Sequence, residues 1–148
     1  MVERASSRSK RDTRDGVTKP IAPPGTLNIG VIADLHFGAA RQFDNVVVPV
    51  FHGLRLPPRI AMVAFALENT VVRMPPGTEV IVIAGDVFHA KSRTTQEEVS
   101  MVRHVLAVLS CLYGHLFIVL DGNHDLIAQG KDSLVGQLSA PGVVTVNR

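Results

Sequence analysis

Three short, almost continuous apolar runs constrain the fold of this chain more than any other feature of its sequence. They are Leu27–Ala33, Glu79–Ala84 and His115–Leu120, and a shorter valine-rich run, Val143–Val146, follows them. None approaches the length of about 20 residues that a membrane span needs. Mostly apolar runs of this kind are typical of strands that are buried on both faces, as in parallel sheets. The runs therefore predict four strands of a largely buried sheet.

Segments with helical periodicity separate these runs. Apolar residues recur at helical spacing over 59–73, and Pro58 is well placed near the first turn of that helix. A second helix should begin near Thr95, where Glu98 completes a capping box. A third, short helix is expected near Asp132–Leu138. Strands that alternate with helices predict an α/β fold of the order β-α-β-α-β-α-β, with right-handed crossovers and a mostly parallel sheet.

Charge and proline divide the chain of 148 residues into two parts. Residues 1–20 hold six basic and three acidic residues, and a proline-rich stretch follows up to Gly25. Such a composition predicts a disordered basic leader and linker over 1–25, and a domain over 26–148. A basic leader also raises the local affinity for phosphate backbones, although a solvated terminus is the more common role.

Cysteine usage points to a reducing compartment. Cys111 is the only cysteine, so no internal disulfide can form, and the first twenty residues lack the apolar stretch of a secretory signal. We therefore expect a cytoplasmic, intracellular protein without a membrane partner. Cys111 falls on an apolar helix face and is expected to be a small core residue.

Each of the first three predicted strands runs into a polar cluster. The clusters are Asp34-Leu35-His36, Gly85-Asp86 and Gly122-Asn123-His124-Asp125. The carboxyl ends of parallel strands share one edge of a sheet, and open α/β sheets bind their ligands there. Aspartate, histidine and asparagine together suit manganese, iron or zinc better than calcium. An aspartate can also bridge two cations about 3.5–4 Å apart, a spacing that polarises phosphoryl oxygens and activates water.

In this order the three clusters resemble the motifs of the calcineurin-like metallophosphoesterases, which are Asp-x-His, Gly-Asp and Gly-Asn-His-Asp/Glu. The segment Ala84–Arg93 lacks the Asp-Arg-Gly that continues the second motif in the commonest phosphatases of this superfamily. It is instead similar to the SbcD-type nuclease subunits of DNA repair complexes, as are Asp34–Gly38 and Gly122–Asn147. The resemblance covers about Leu27 to Asn147, and residues 41–58 fit it poorly.

The resemblance implies a role for most residues of the polar clusters. Asp34, His36, Asp86 and Asn123 correspond to ligands of two divalent metal ions, and Asp86 corresponds to the ligand that bridges them. His124 corresponds to the catalytic acid that contacts the scissile phosphate and protonates the leaving oxygen. We therefore expect a two-metal site for manganese, with iron or zinc as alternatives.

Four further residues lie near these motifs with less specific roles. His89 corresponds to a position near the site that is not a first-choice ligand. Asp125 is expected either to orient His124 or to cap the following turn, and the structural role is favoured. Lys91 and Arg93 are candidate contacts to a nucleic-acid backbone, and a solvated helix entrance explains them equally well.

By this resemblance the chain is a metal-dependent phosphodiester hydrolase, an SbcD-type nuclease that cleaves DNA. Its expected partners are DNA, an SMC-like ATPase and a second copy of itself. The alternatives are a phosphatase or nucleotide phosphodiesterase of the same superfamily, or an inactive truncated domain.

The histidine content argues for half a domain. The superfamily completes its two-metal site with a later histidine and a Gly-His-x-His motif, whereas no histidine follows His124 here. We therefore expect the first half of a metallophosphoesterase α/β sandwich that is nearly inactive alone. Its sheet should present an uncovered outer face that favours association.

Overall fold

The computed structural model describes residues 25–38, 49–89, 94–122, 125 and 133–147. The predicted leader therefore falls almost wholly outside the described residues. The elements, in chain order, are β1 (Asn28–Ile32), β2 (Val50–Phe51), β3 (Leu54–Arg55), α1 (Pro58–Val72), β4 (Thr78–Ala84), α2 (Gln96–Tyr113), β5 (Leu116–Leu120), a 3₁₀ helix (Val135–Leu138) and β6 (Val143–Val146).

Four of the strands form one parallel sheet in the order β1-β4-β5-β6. They are the four apolar runs, so the prediction of an α/β fold with a parallel sheet is confirmed. The predicted alternation is not reproduced in full, because a hairpin precedes α1 and the expected third helix is a single 3₁₀ turn. In the described part of the expected third helix, residues 133–138, only Val135–Leu138 are helical, and four residues form a single 3₁₀ turn.

The hairpin of β2 and β3 lies within residues 41–58, the stretch that fits the family resemblance poorly. Its two-residue turn is His52-Gly53, with φ of +44° and +86°. Positive φ at both central residues is the geometry of a type I′ turn, which matches the twist of paired strands. Phe51 is fully buried, and its ring centroid lies 5.1 Å from that of Phe65 on α1. The hairpin is therefore attached to the core by an aromatic contact. The sequence does not predict it, because strands of two residues are too short to show an alternating pattern.

Both helices begin where their sequence predicts. Pro58 opens α1, and Thr95 caps α2 by accepting from the Glu98 backbone N–H at 3.2 Å, while the Glu98 carboxylate accepts from the Thr95 N–H at 2.7 Å. The helix α2 ends at Gly114, which has a left-handed φ of +71°. Cys111 is exposed, so its predicted place in the core is wrong, because the buried stripe of α2 passes through Leu106 and Leu109 instead.

Neither helix in the described part of the chain combines the length and the apolar character that a bilayer crossing requires.

For the described residues, the strand order and right-handed connections place α1, α2 and the 3₁₀ helix on one face of the sheet. Each connection moves to the next strand in the same direction, and right-handed crossovers then place every helix on the same side. On that side Ile81, Ile83, Phe117 and Val119 are fully buried. The opposite side, which we call the bare face, carries side chains from all four strands. Its members are Ile29, Val31, Val80, Val82, Ala84, Leu116, Ile118, Leu120, Val144 and Val146.

Candidate metal centre

The loops that follow β1 and β4 continue the parallel pairing of those strands beyond the sheet. The backbone N–H of His36 donates to the Asp86 carbonyl at 3.0 Å, and that of Phe37 donates to the Val87 carbonyl at 2.7 Å. Phe37 and Phe88 form an isolated parallel bridge, and both rings are fully buried. The two aromatic side chains therefore fix both loops to the core, and the polar residues between them are presented at the edge of the sheet.

Asp34, His36 and Asp86 converge at this edge. Each offers one ligand atom, and the three atoms lie within 4.8 Å of one another. The Nε2 of His36 is 3.8 Å from Oδ1 of Asp34. The Asp34 side chain is exposed, whereas His36 and Asp86 are half-buried. The cluster is therefore open to solvent on the side of Asp34 and enclosed on the sides of His36 and Asp86, so that a hydrated cation can enter it from solvent.

The same three residues share an unusual backbone conformation. Their φ angles are +56° for Asp34, +50° for His36 and +50° for Asp86. A left-handed residue other than glycine costs about 1–3 kcal/mol and persists only where the surrounding structure enforces it. Such strain concentrates at ligand-binding and active sites. All three candidate donors therefore share a conformation that non-glycine residues seldom adopt, although aspartate and histidine adopt it more often than most.

Two glycines allow the strand ends to approach each other. A Cβ added to Gly122 would overlap the backbone nitrogen and the side-chain oxygen of Asp86, and one added to Gly85 would lie 2.9 Å from the Gly122 Cα. Gly85 also has a φ of +82°. Larger side chains at either position would therefore push Asp86 out of the cluster.

Asp125 is a fully buried carboxylate that ties the loops together. Its Oδ2 accepts from the backbone N–H of Val87 at 3.2 Å and of Gly122 at 2.9 Å, and its Oδ1 accepts from Phe88 at 2.9 Å. Three charge-assisted bonds hold the segment after β4 against the segment after β5. Asp125 is thus a structural anchor for the backbone that carries Asp86, a contact between distant segments that the sequence analysis did not predict.

Asp121 and Ser133 form part of this edge although the sequence analysis assigned them no role. Asp121 is buried at the end of β5, and the Ser133 hydroxyl donates to its Oδ1. The Ser133 Oγ in turn accepts from the Val135 N–H at 3.0 Å. These contacts attach the 3₁₀ helix to the end of β5. The position of Asp121 directly after an apolar run was the available signal, since Asp34 and Asp86 stand in similar positions.

His89 lies beside the cluster but not within it. Its exposed ring meets that of His36 edge to face, with centroids 5.7 Å apart. Its backbone N–H donates to the Phe37 carbonyl at 2.8 Å, which extends the pairing of the two loops. A mostly apolar cleft of about 360 Å³ lies at the ends of β4, β5 and β6, and Ala84, Leu120, Asp121, Val146 and Asn147 line it. None of the three converging donors lines this cleft, so the neighbour that the structure gives the cluster is the imidazole of His89.

Several predicted site residues lie outside the described residues. They are Asn123, His124, Lys91 and Arg93. Of the four expected metal ligands, the structure brings together Asp34, His36 and Asp86.

A second polar group, formed by His52, Glu68 and Tyr113, joins the hairpin to both helices. The Oε1 of Glu68 lies 2.5 Å from Nε2 of His52 and accepts from the Tyr113 hydroxyl at 2.7 Å. Burial raises the pKa of Glu68, but the hydrogen bonds from Tyr113 and His52 and the charge of His52 outweigh it and leave the pKa below its usual value. The hydrogen bond to Glu68, with burial and the negative charge, raises the pKa of Tyr113. This group contains a single carboxylate, too few acidic ligands for a two-metal site. Its hydrogen bonds join the hairpin to α1 and α2, so we assign it a role in packing the hairpin.

No protein-family model matches this chain, and a search of curated proteins finds no matching relative. The case for a function therefore depends on the residues themselves and on the geometry of the edge that carries them.

Proposed function

We propose that this chain is a metal-dependent phosphodiester hydrolase of the calcineurin-like type, closest to the SbcD-type nucleases, with DNA as its substrate. The observation that carries the proposal is the convergence of Asp34, His36 and Asp86 at the carboxyl edge of a parallel sheet. These three residues come from the two motifs whose resemblance to that superfamily is read from the sequence. Topology brings them together across about fifty positions of the chain, as the resemblance requires.

The donor set fits a first-row divalent cation. Two carboxylate oxygens and one imidazole nitrogen form a mixed oxygen and nitrogen site, which manganese, iron and zinc accept and calcium rarely does. We propose manganese, with iron or zinc as alternatives, and Asn123 as a further ligand of a second ion. A bound divalent cation supplies Lewis-acid polarisation of a phosphoryl oxygen and lowers the pKa of water.

The chain's own residues prepare this site in advance. The left-handed backbone of Asp34, His36 and Asp86 fixes the direction of their side chains before any ligand arrives. Asp125 holds the segment that follows Asp86 through the bonds from Val87 and Phe88, and thereby limits its motion. Preorganised ligands lose little conformational entropy on binding, which favours both affinity and correct geometry.

The remaining roles come from the sequence resemblance. In the proposal His124 contacts the scissile phosphate and protonates the leaving oxygen, which follows the general-acid role of an imidazole near neutral pH. His89 lies close enough to His36 to face the same substrate. An SMC-like ATPase remains the proposed partner.

Metal titration tests the proposal most directly. We expect the purified 148-residue chain to bind manganese with micromolar or weaker affinity by isothermal calorimetry. Asp86→Asn should abolish this binding, because it replaces the central carboxylate of the cluster. Glu79→Gln is the matched control, since Glu79 is an exposed carboxylate near the opposite end of the same strand. Equal manganese affinity in wild type and Asp86→Asn would contradict the proposed site.

Activity separates the substrate classes. Three donors in the described cluster suffice for one cation, whereas two-metal chemistry needs more, so we expect negligible cleavage of bis-p-nitrophenyl phosphate by this chain alone. Manganese-dependent turnover that is lost in His124→Ala would show an active site completed by other residues. Turnover of p-nitrophenyl phosphate, without cleavage of the diester or of linear DNA, would favour a phosphatase.

A further inference from the structure

The carboxylate of Asp121 and the hydroxyl of Ser133 join two segments of the chain beside the candidate metal centre. Asp121 is 7% exposed, and the Ser133 hydroxyl donates to its Oδ1. The same hydroxyl oxygen accepts from the Val135 N–H at 3.0 Å, and Val135 is fully buried at the start of the 3₁₀ helix. The 3₁₀ helix therefore holds the Ser133 hydroxyl in place, and the hydroxyl in turn holds the carboxylate of Asp121.

Gly122, the residue after Asp121, is the part of the backbone that lies directly against Asp86. A Cβ added to Gly122 would overlap the backbone nitrogen and Oδ1 of Asp86. A Cβ added to Gly85 would in turn lie 3.6 Å from the carbonyl carbon of Asp121. The end of β5 thus forms one side of the space that the Asp86 carboxylate occupies. In so closely packed a place, a displacement of Asp121 changes the position that this carboxylate can take.

Hydrogen bonds of Asp125 connect the same two segments a second time. Its Oδ2 accepts from the Gly122 N–H at 2.9 Å, and its backbone carbonyl accepts from the Leu134 N–H at 3.2 Å. Ser133 and Leu134 therefore reach Gly122 from both of its sides, Ser133 through Asp121 and Leu134 through Asp125. Two connections fix the backbone of Gly122 more firmly than either would alone.

We propose that Asp121 and Ser133 are positioning residues for the carboxylate of Asp86, an inference that rests on the proposed function. Among the described residues, Asp121 is not one of the donors that converge within 4.8 Å of one another, so it acts through Gly122 and not as a ligand. Residues that hydrogen-bond around metal ligands orient those ligands, and losing them typically costs about 10–100-fold in metal affinity. The manganese affinity of the cluster should accordingly depend on the hydroxyl of Ser133.

Manganese titration of the full 148-residue chain by isothermal calorimetry tests this dependence. Ser133→Ala removes the hydroxyl from which Asp121 accepts, and it should lower the affinity about ten-fold. Ser133→Thr keeps a hydroxyl and should restore the affinity of the wild type. The matched control is Ser139→Ala at the other end of the same 3₁₀ helix, where the exposed Ser139 hydroxyl lies 2.9 Å from that of Thr145. This control should bind manganese like the wild type.

Asp121→Asn distinguishes positioning from direct metal binding. The amide oxygen still accepts a hydrogen bond from Ser133, so a positioning role predicts an affinity close to that of the wild type, whereas Asp86→Asn should not bind. The electron paramagnetic resonance spectrum of the bound manganese reports the symmetry of its ligands. It should change in Ser133→Ala and stay that of the wild type in Asp121→Asn and Ser139→Ala. A role limited to attaching the 3₁₀ helix would lower stability in urea without changing this spectrum.

The outcomes separate this proposal from the proposed function. Equal affinity and an equal spectrum in wild type and Ser133→Ala, with no binding by Asp86→Asn, would overturn the positioning role and leave the metal site intact. Loss of binding in Asp121→Asn would overturn it as well, because Asp121 would then be a ligand. A wild type that binds no manganese would contradict the proposed function and the positioning role together.

Circular dichroism checks that each variant is folded. Should Ser133→Ala fail to fold, Ser133→Cys keeps a side chain of similar size with a weaker hydrogen-bond donor. It should still lower the manganese affinity measurably, and an unchanged affinity in this variant would count against the proposal in the same way.

Discussion

The hairpin turn and the two loops of the candidate metal centre both contain left-handed residues, but for different reasons. The two loops, which we call the metal-centre loops, are the ones that follow β1 and β4. His52 has a φ of +44° and precedes Gly53, so the type I′ turn by itself accounts for its conformation. Asp34, His36 and Asp86 adopt similar angles in loops where no two-residue hairpin requires them. In the hairpin the turn type accounts for the conformation, whereas at the strand ends it coincides with the three candidate donors of the proposed metal site.

The supports of the two regions differ as well. The hairpin is attached by the Phe51 ring and by the partly exposed contact of His52 with Glu68. The metal-centre loops are attached by two fully buried rings, Phe37 and Phe88, and by the buried carboxylate of Asp125. The loops contain three left-handed residues other than glycine and the hairpin contains one, so the loops need the stronger attachment. We therefore expect substitutions at the buried attachments of the loops to lower the free energy of unfolding strongly, and substitutions in the hairpin to change it little.

Asp125→Ala should produce the largest effect. It leaves the N–H groups of Val87, Phe88 and Gly122 without the carboxylate, and each buried donor without a partner costs about 1–3 kcal/mol. We expect a loss of about 4 kcal/mol in the free energy of unfolding, measured by urea denaturation, together with loss of manganese binding.

Two companion variants interpret that result. Glu79→Ala removes an exposed carboxylate and should change stability by no more than about 0.5 kcal/mol. Asp125→Asn keeps the shape of the side chain and should fall between the wild type and Asp125→Ala. A loss below about 1 kcal/mol in Asp125→Ala would mean that the loops do not depend on this anchor.

Glycine substitutions at the left-handed positions distinguish the free-energy cost of the backbone conformation from the contribution of the side chain. Asp34 is exposed, so Asp34→Gly should relieve its backbone and raise the free energy of unfolding without metal by about 1 kcal/mol. The same change removes a donor, so manganese should no longer raise the melting temperature. A variant that is more stable without metal but unresponsive to metal would show that stability is given up for binding at this position.

His52→Gly is the counterpart in the hairpin. It relieves the same kind of backbone but also removes the contact with Glu68, so the two effects should nearly cancel. The manganese response should be that of the wild type. If Asp34→Gly destabilised the protein instead, the left-handed backbone of Asp34 would be unstrained in its context, and the contrast between the two regions would fail.

The sequence predicted the elements whose signals are local and missed those that depend on distant partners. The run Val143–Val146 and the capping box of Thr95 and Glu98 are confirmed as predicted, because a strand pattern and a cap are each complete within a few residues. The hairpin was missed because two-residue strands show no periodicity, and its His52-Gly53 turn is not one of the commonest pairs.

The residues of the candidate site could be predicted from the sequence, but the backbone conformation and the hydrogen bonds that hold them in place could not. Strand ends and residue types indicated that Asp34, His36 and Asp86 would meet, and they do. The left-handed backbone of these residues carries only a weak sequence signal, because aspartate and histidine adopt it more often than most non-glycine residues but still in few positions. The bonds from Asp125 to Val87 and Phe88 span almost forty positions, so no local pattern could reveal them.

The smallest expected effect concerns the pH dependence of the hairpin contact. The pKa of Glu68 is lower in the folded protein than in the unfolded chain, so the unfolded state binds more protons between the two values. The stabilisation is therefore present above the usual glutamate pKa of about 4.3 and is lost as the pH falls further. Because His52 and Glu68 form a partly exposed pair, its contribution should stay below about 1 kcal/mol. Melting temperatures from pH 6 downwards should fall less steeply in Glu68→Gln than in the wild type. Identical slopes in wild type and Glu68→Gln would show that the hairpin is held by Phe51 alone.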